Sequence, residues 1–341
     1  MSSGGATVTA GGVLEGVVRT ALDLAPAAPV ELEEVEAFSN FNYVYRVRAG
    51  GDSFYLKQVA EKPKHFDVRL PRERIFSEAE AMRRFQELAG DAVRVPRLLG
   101  LDREAYAFVM SDVGAGRRVL LDVVGQCFER LAEQAEALGT ALGRVHRASR
   151  GMAPLRPAAE REVIVRTIWD GLLAPGGRAV FPDAWAATEE RLSRSECLVH
   201  ADLWAKNLLV AAGEPVALVD FEGAHLGDPA FDLGTLLAVA LLPALERPEL
   251  FAAAQGFARR LFDSHAAAAG DVRWADGVRE RAFLATAVFL AARGFGPFAY
   301  PMAETARQRV RALAARLVEA PVKDLDGLTI RVAAVLALPG I

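Results

Sequence analysis

Two stretches decide the reading: "LVHADLWAKNLLV" (198–210) and "VALVDFEGAHLGDPAFDLG" (216–234). In the first, His200, Asp202 and Asn207 interrupt a frame of Leu198, Val199, Leu203, Leu208, Leu209 and Val210. A polar group in such a frame loses its water and must be paired or used. In the second, Asp220 closes an apolar run over 216–220 that reads as a strand, which would aim its side chain. Asp202, Asn207 and Asp220 are then three oxygen donors suited to a hard cation such as Mg²⁺.

Phosphoryl transfer asks for this set. It uses a base beside the attacking hydroxyl, an Asn and an Asp on the metal, a Lys on the phosphates and a Glu that holds the Lys. The spacing of Asp, four residues and Asn is met by Asp202 and Asn207. Lys57 in "FYLKQ" (54–58) is the candidate Lys, since a Lys in an apolar strand must find an anion. Glu78 in the following helical stretch is its candidate partner, with Glu80 as the rival. The turn "AFSNFNYVY" (37–45) could cover phosphates with backbone N–H groups and Ser39.

Working outward, "NYVYRVRA" (42–49) and "DSFYLKQV" (52–59) alternate and are joined by Gly50–Gly51, a hairpin pattern. "PRERIFSEAEAMRRFQELAG" (71–90) opens with Pro, is dense in helix formers and ends in Gly, the marks of a helix. "AYAFVMSDV" (105–113) reads as a strand. After about Gly114 helical periodicity dominates, over roughly 127–148, 185–195, 231–245, 250–266, 275–293, 302–319 and 325–337. The small hairpin "NLLV"/"VALVD" is embedded among them. The fold expected is α+β: a small β-rich N-lobe with one main helix, and a larger, mostly helical C-lobe. The expected divisions are a flexible segment over 1–25, an N-lobe over 26–111 and a C-lobe over 112–341.

The chain has 341 residues, 52% of them hydrophobic and 25% charged, with a net charge of −4. That mild negative balance gives no footprint for nucleic acid. The apolar runs 236–245 and 282–292 fall short of the ~18–20 residues that a membrane span needs. The two cysteines, Cys127 and Cys197, fit packing in a reducing compartment better than a disulfide scaffold. The start "MSSGGATVTAGG" lacks the basic and apolar regions of a signal peptide. A cytoplasmic protein without nucleic-acid or membrane partners is expected, with its oligomeric state open.

"HADLWAKN" followed by "VDFEGAHLGDPAFDLG" resembles the signature of the aminoglycoside phosphotransferase/choline kinase superfamily, over about 30–335. The resemblance implies a protein-kinase-like fold, ATP and Mg²⁺ as cofactors, and a small-molecule hydroxyl as acceptor. It implies Asp202 as catalytic base, Asn207 and Asp220 as metal ligands, Lys57 as the phosphate-binding Lys and Glu78 as its helix partner. Residues 110–113, with Ser111 and Val113, would carry adenine. The small lobe, with "NFNYVYRV" and "YLKQV", is similar to methylthioribose kinases in particular. The chain departs from them at "DFEGA", where that family has Asp-Pro-Glu, and at the Asn of "HADLWAKN".

Several residues keep two readings. Glu222 is a second metal-shell acid or a loop anchor. Trp204 lines the acceptor or packs. Arg293, in "LAARGFGPFAY" (290–300), faces the acceptor or caps a helix end before Gly294. His200 and His146 are expected as scaffold, His225 and Asp228 as turn residues, and Asp232 as the N-cap of the helix that follows. Residues 247–341 carry 13 Lys and Arg against 9 Asp and Glu, which does not favour a cationic acceptor. The expected activity is a kinase for a sugar-like alcohol of the methylthioribose type. The alternatives are an aminoglycoside O-phosphotransferase and a catalytically idle nucleotide-binding protein.

Overall fold

The computed structural model describes residues 10–35, 42–59, 70–123 and 128–338. Ser39 and Cys127 lie outside them. The chain divides into two compact units, Met1–Gln86 with Val95–Ala115, and Glu87–Arg94 with Gly116–Ile341.

The smaller unit is an antiparallel sheet. Its strands are Val30–Glu34 (β1), Tyr43–Ala49 (β2), Asp52–Gln58 (β3), Leu98–Asp102 (β4) and Ala107–Ser111 (β5), in the order β1-β2-β3-β5-β4. The β2–β3 hairpin forms as the sequence suggests. Gly50 and Gly51 both have positive φ, 62° and 91°, the conformation a two-residue turn requires there. The register places Lys57 on β3 between Val44 and Phe108, mid-sheet and away from any edge. The expected helix runs from Arg74 to Ala89 (α2).

One expectation is corrected here. The segment 1–25, read as flexible, contains a helix at Ala10–Ala21 (α1). Leu14, Val17 and Val18 recur at helical spacing and are buried in one cluster with Val47, Leu56 and Val109. The glycines of this segment lower its local propensity, and burial against the sheet outweighs that. The division near residue 111 also moves. The smaller unit runs on to Ala115, and Arg94 joins the larger one by exchanging backbone bonds with Val216 and Leu218.

The larger unit is mostly helical. Its helices are Leu120–Val123 (α3), Phe128–Glu133 (α4), Ala135–Ala148 (α5), Ala158–Arg166 (α6), Ala174–Val180 (α7), Trp185–Leu192 (α8), Ala230–Glu246 (α9), Phe251–Ala269 (α10), Val272–Phe295 (α11), Glu304–Glu319 (α12) and Leu325–Leu336 (α13). The stretch 127–148, expected as one helix, is interrupted at Gln134. The side chain of Gln134 is drawn to the backbone of Glu214 and Val216, where it satisfies one donor and one acceptor. α9 and α11 form the apolar centre; every side chain of α9 from Ala230 to Leu245 is buried. Among the described residues no helix is long and apolar enough to cross a membrane.

Short strands carry the two motifs. Cys197–Val199 (β7) pairs with His225–Gly227 (β10), while Leu208–Val210 (β8) pairs with Arg118–Val119 (β6) and Ala217–Leu218 (β9). The run 200–207 leaves β7 and enters β8. Residues 219–224 leave β9 and enter β10.

Candidate active site

In the smaller unit, Lys57 Nζ stands 2.6 Å from Glu78 Oε1, with both side chains almost wholly buried. Glu80 instead pairs with Arg83 and Arg84 on the exposed face of its helix, which holds its carboxyl below the usual range. The choice between the two glutamates follows from helix geometry: two residues on, the side chain points about 200° around the axis. Ser111, expected at the adenine position, donates its N–H to the Arg97 carbonyl, and its hydroxyl accepts from the Arg97 N–H. These two bonds use its backbone N–H and one lone pair of its hydroxyl. Val113 lies two residues beyond the end of β5.

In the larger unit, the loop 200–207 is held from beneath by Asp232. One carboxylate oxygen accepts the N–H of His200 at 3.0 Å, the other that of Ala201 at 2.9 Å. Ala201 sits at φ 64°, a region costly for a residue with a Cβ, so the clamp is opposed by local strain. Asp232 is thus not the N-cap expected from the sequence. It lies inside α9, while Asp228 accepts the Ala230 N–H and pairs with Arg281 at 2.7 Å. Burial alone would raise the Asp232 carboxyl; the bond from His146 and the loop N–H groups outweigh it and lower it.

His200 is buried. Its Nε2 bonds to the Val219 carbonyl, and its Nδ1 accepts the Asp202 N–H at 3.4 Å. Both contacts are met by the neutral Nε2–H ring, and burial lowers its pKa in the same sense. The ring ties the loop of Asp202 to the strand leading to Asp220.

Asp202 is partly exposed. Asn207 donates its side-chain N–H groups to the Asp202 carbonyl at 2.9 Å and to Asp202 Oδ2 at 2.7 Å. With both amide donors committed, Asn207 Oδ1 is the atom left for a cation. Asp220 has φ 68° and ψ 74°, so it does not continue a strand as expected: β9 ends at Leu218 and the chain turns sharply at the carboxylate. Glu222 follows in a short 3₁₀ turn, whose backbone carbonyl accepts from the buried Arg156 at 2.7 Å. Asn207 Oδ1 and Asp220 are hard oxygen donors, and Mg²⁺ asks a protein for only one or two carboxylates beside phosphates and water. Among the described residues no group of three or more His, Cys, Asp or Glu forms a fuller cage. The donor set fits a phosphate-borne Mg²⁺.

Two cations flank Asp202. Lys206 Nζ lies 3.7 Å from Oδ2, and Arg293 Nη2 lies 4.0 Å from Oδ1. Partial burial would lower the Lys206 ammonium, but Asp202, Asp220 and Glu222 together raise it. Arg293 is buried inside α11 and stacks on Trp204 at 4.3 Å. It also lies in the last turn of α11, which ends at Phe295, so it stands at a helix end as well as beside Asp202. Its Nη1 reaches the Phe298 carbonyl, and Tyr300 stands edge-on to Trp204. Arg293, Trp204 and Tyr300 therefore make one wall beside Asp202. Lys206 was missed in the sequence because a Lys next to an Asn looks like an ordinary exposed residue; only its three carboxylate neighbours distinguish it.

The sequence profile of the phosphotransferase enzyme family matches residues 35–270. No curated protein matches significantly. Among solved structures, a microcompartment-associated aminopropanol kinase superposes with a TM-score of 0.54 at 18% identity, covering 91% of this chain and 99% of its own. An ethanolamine kinase from Plasmodium vivax gives 0.50 at 11% identity, covering 94% and 85%. A choline/ethanolamine kinase family protein from Mesorhizobium loti gives 0.49 at 20% identity, covering 96% of each chain. At such identities the first two likenesses speak for the fold: kinase-like α+β, with a small antiparallel-sheet unit and a larger helical one.

Proposed function

The chain belongs to the phosphotransferase enzyme family, and from that premise we propose that it moves the γ-phosphoryl group of ATP to a hydroxyl of a small, sugar-like molecule. The observation that carries this is Asp202: a partly exposed carboxylate fixed by Asn207, on a loop clamped by Asp232.

Asp202 orients the acceptor hydroxyl and takes its proton as the oxygen bonds to phosphorus; the bond from phosphorus to the ADP oxygen breaks. The transition state is loose, so the carboxylate mainly orients the hydroxyl and takes its proton late. Asn207 Oδ1 and Asp220 would hold Mg²⁺, which would supply neutralisation of phosphate charge. Lys57, fixed by Glu78, binds the α/β-phosphates, and Ser111 and Val113 would carry adenine. Lys206 faces the charge that develops on the transferred group.

The acceptor rests against Trp204, Tyr300 and Arg293. With Arg293 and Lys206 beside the base, a neutral sugar such as a methylthioribose-type alcohol is favoured over a polycationic aminoglycoside. Glu222, whose charge acts on Lys206 beside Asp202, would contact either metal or acceptor.

The test is Mg²⁺-dependent ADP release across methylthioribose, other pentoses and hexoses, choline, ethanolamine and aminoglycosides, with the phosphorylated product identified by ³¹P NMR. A strong signal from a sugar is expected. Turnover of aminoglycosides alone would overturn the acceptor assignment. ATP binding with no turnover on any alcohol would favour an idle nucleotide-binding protein.

A further inference from the structure

Behind the loop that carries Asp202 lies a buried polar chain that the phosphotransfer reading does not use. His146 on α5 places Nε2 3.2 Å from Asp232 Oδ2 and Nδ1 3.1 Å from His265 Nε2 on α10. All three side chains are essentially inaccessible. The helices approach this closely because Gly139 and Gly143, two turns and one turn before His146 on the same face, meet the α10 backbone at Leu261 and His265; a Cβ at either would collide with a carbonyl oxygen. On its other side His265 is covered by Trp274, stacked at 5.9 Å, whose indole N–H donates to Glu196.

The donor and acceptor count admits few proton arrangements. An ionised carboxylate only accepts, so the His146 nitrogen facing Asp232 carries a proton. A single proton lies between His146 Nδ1 and His265 Nε2. If it belonged to His146, the neutral His265 would carry its own on Nδ1, and among the described residues no acceptor bonds to that atom. Buried N–H groups are rarely left without acceptors. Burial and the adjacent His146 hold the His265 ring well below its usual pKa, in the same sense.

We infer that His265 is a positioning residue for phosphotransfer: its Nε2–H fixes the His146 tautomer that donates to Asp232, so that Asp232 can hold the strained Ala201 backbone and present Asp202. The inference rests on the reading of Asp202 as base, and the chain His265, His146, Asp232, loop is continuous in hydrogen bonds.

The experiment has two parts. Long-range ¹H–¹⁵N spectra of the imidazoles in the intact protein are expected to show His146 protonated on Nε2 alone and His265 protonated on Nε2. A His146 imidazolium, or a proton on its Nδ1, would overturn the inference without touching the role of Asp202. In kinetics, His265→Leu is expected to lower kcat about 10-fold with KM for ATP within about twofold, as for other groups that orient a catalytic one. His265→Gln, which keeps an N–H at a similar reach, recovers most of that loss. Unchanged kcat in the Leu variant, or a Gln variant as impaired as Leu, would overturn it. If the Leu variant does not fold, the spectra of the native protein decide. Full turnover by Asp202→Ala would strike the reading of Asp202 as base instead, and the tautomers would stand apart from it.

Discussion

The two units each hold an ion pair at a candidate phosphate site, and the pairs are built differently. Lys57 and Glu78 meet at 2.6 Å with about 5% of either side chain exposed. Asp202 meets Lys206 and Arg293 at 3.7 and 4.0 Å, itself one-fifth exposed. The first pair is shut away from water, so losing either charge strands the other in a low-dielectric site. The second is loose and wet enough for a hydroxyl, a phosphate or a metal to enter between the charges. A tight pair sets geometry before ligands arrive, whereas a loose one leaves its charges available to them.

The sharpest way to break this contrast is Asp202→Ala. Loss of the base is expected to lower kcat about 10³-fold, with the ATP Kd within a few-fold and the denaturation midpoint nearly unchanged. Stopped assays and ATP titration check it, and a rate near that of the native chain removes Asp202 from the chemistry. Lys57→Met tests the other side. It removes the ammonium from the buried Glu78 carboxylate and is expected to cost about 3–5 kcal/mol of stability, read by urea unfolding. The double variant Lys57→Met/Glu78→Leu should regain most of that stability and no activity. If the double variant is as unstable as the single, the pair is not the unit described.

Protonation gives a smaller effect. His225 bonds through Nδ1 to the Gly223 carbonyl, and burial lowers its pKa to about 4. Below about 6.5 the unfolded chain binds a proton that the native ring refuses until about 4, so stability falls as pH drops through that window. For this partly exposed ring the loss at pH 5 is at most about 2 kcal/mol, and His225→Asn should flatten the acid limb. Equal stability of native and variant chains at pH 5 and 7.5 would contradict it. Smallest is Lys206→Ala, expected to lower kcat about 10-fold while leaving stability within about 0.5 kcal/mol, since pairs this exposed contribute little. A stability loss with unchanged kcat would make Lys206 a structural partner of Asp202 only.

The sequence by itself determined the local pieces: the hairpin through Gly50–Gly51, the long helices of the larger unit, and the motif spacing that singles out Asp202, Asn207 and Asp220. These depend on periodicity, turn chemistry and short separations along the chain, which a linear reading contains. Tertiary structure alone decided the rest. Glu78 rather than Glu80 meets Lys57 because one helix face is buried and the other is not. Asp232 reaches back 31 residues to hold Ala201 instead of capping its own helix. Arg293 lies against Trp204 and Asp202 across 89 and 91 residues. The Gly-rich segment 10–21 becomes helical through contacts with a sheet far along the chain. In each case the deciding free energy is desolvation relieved by a distant partner, and no local pattern records which partner will be there.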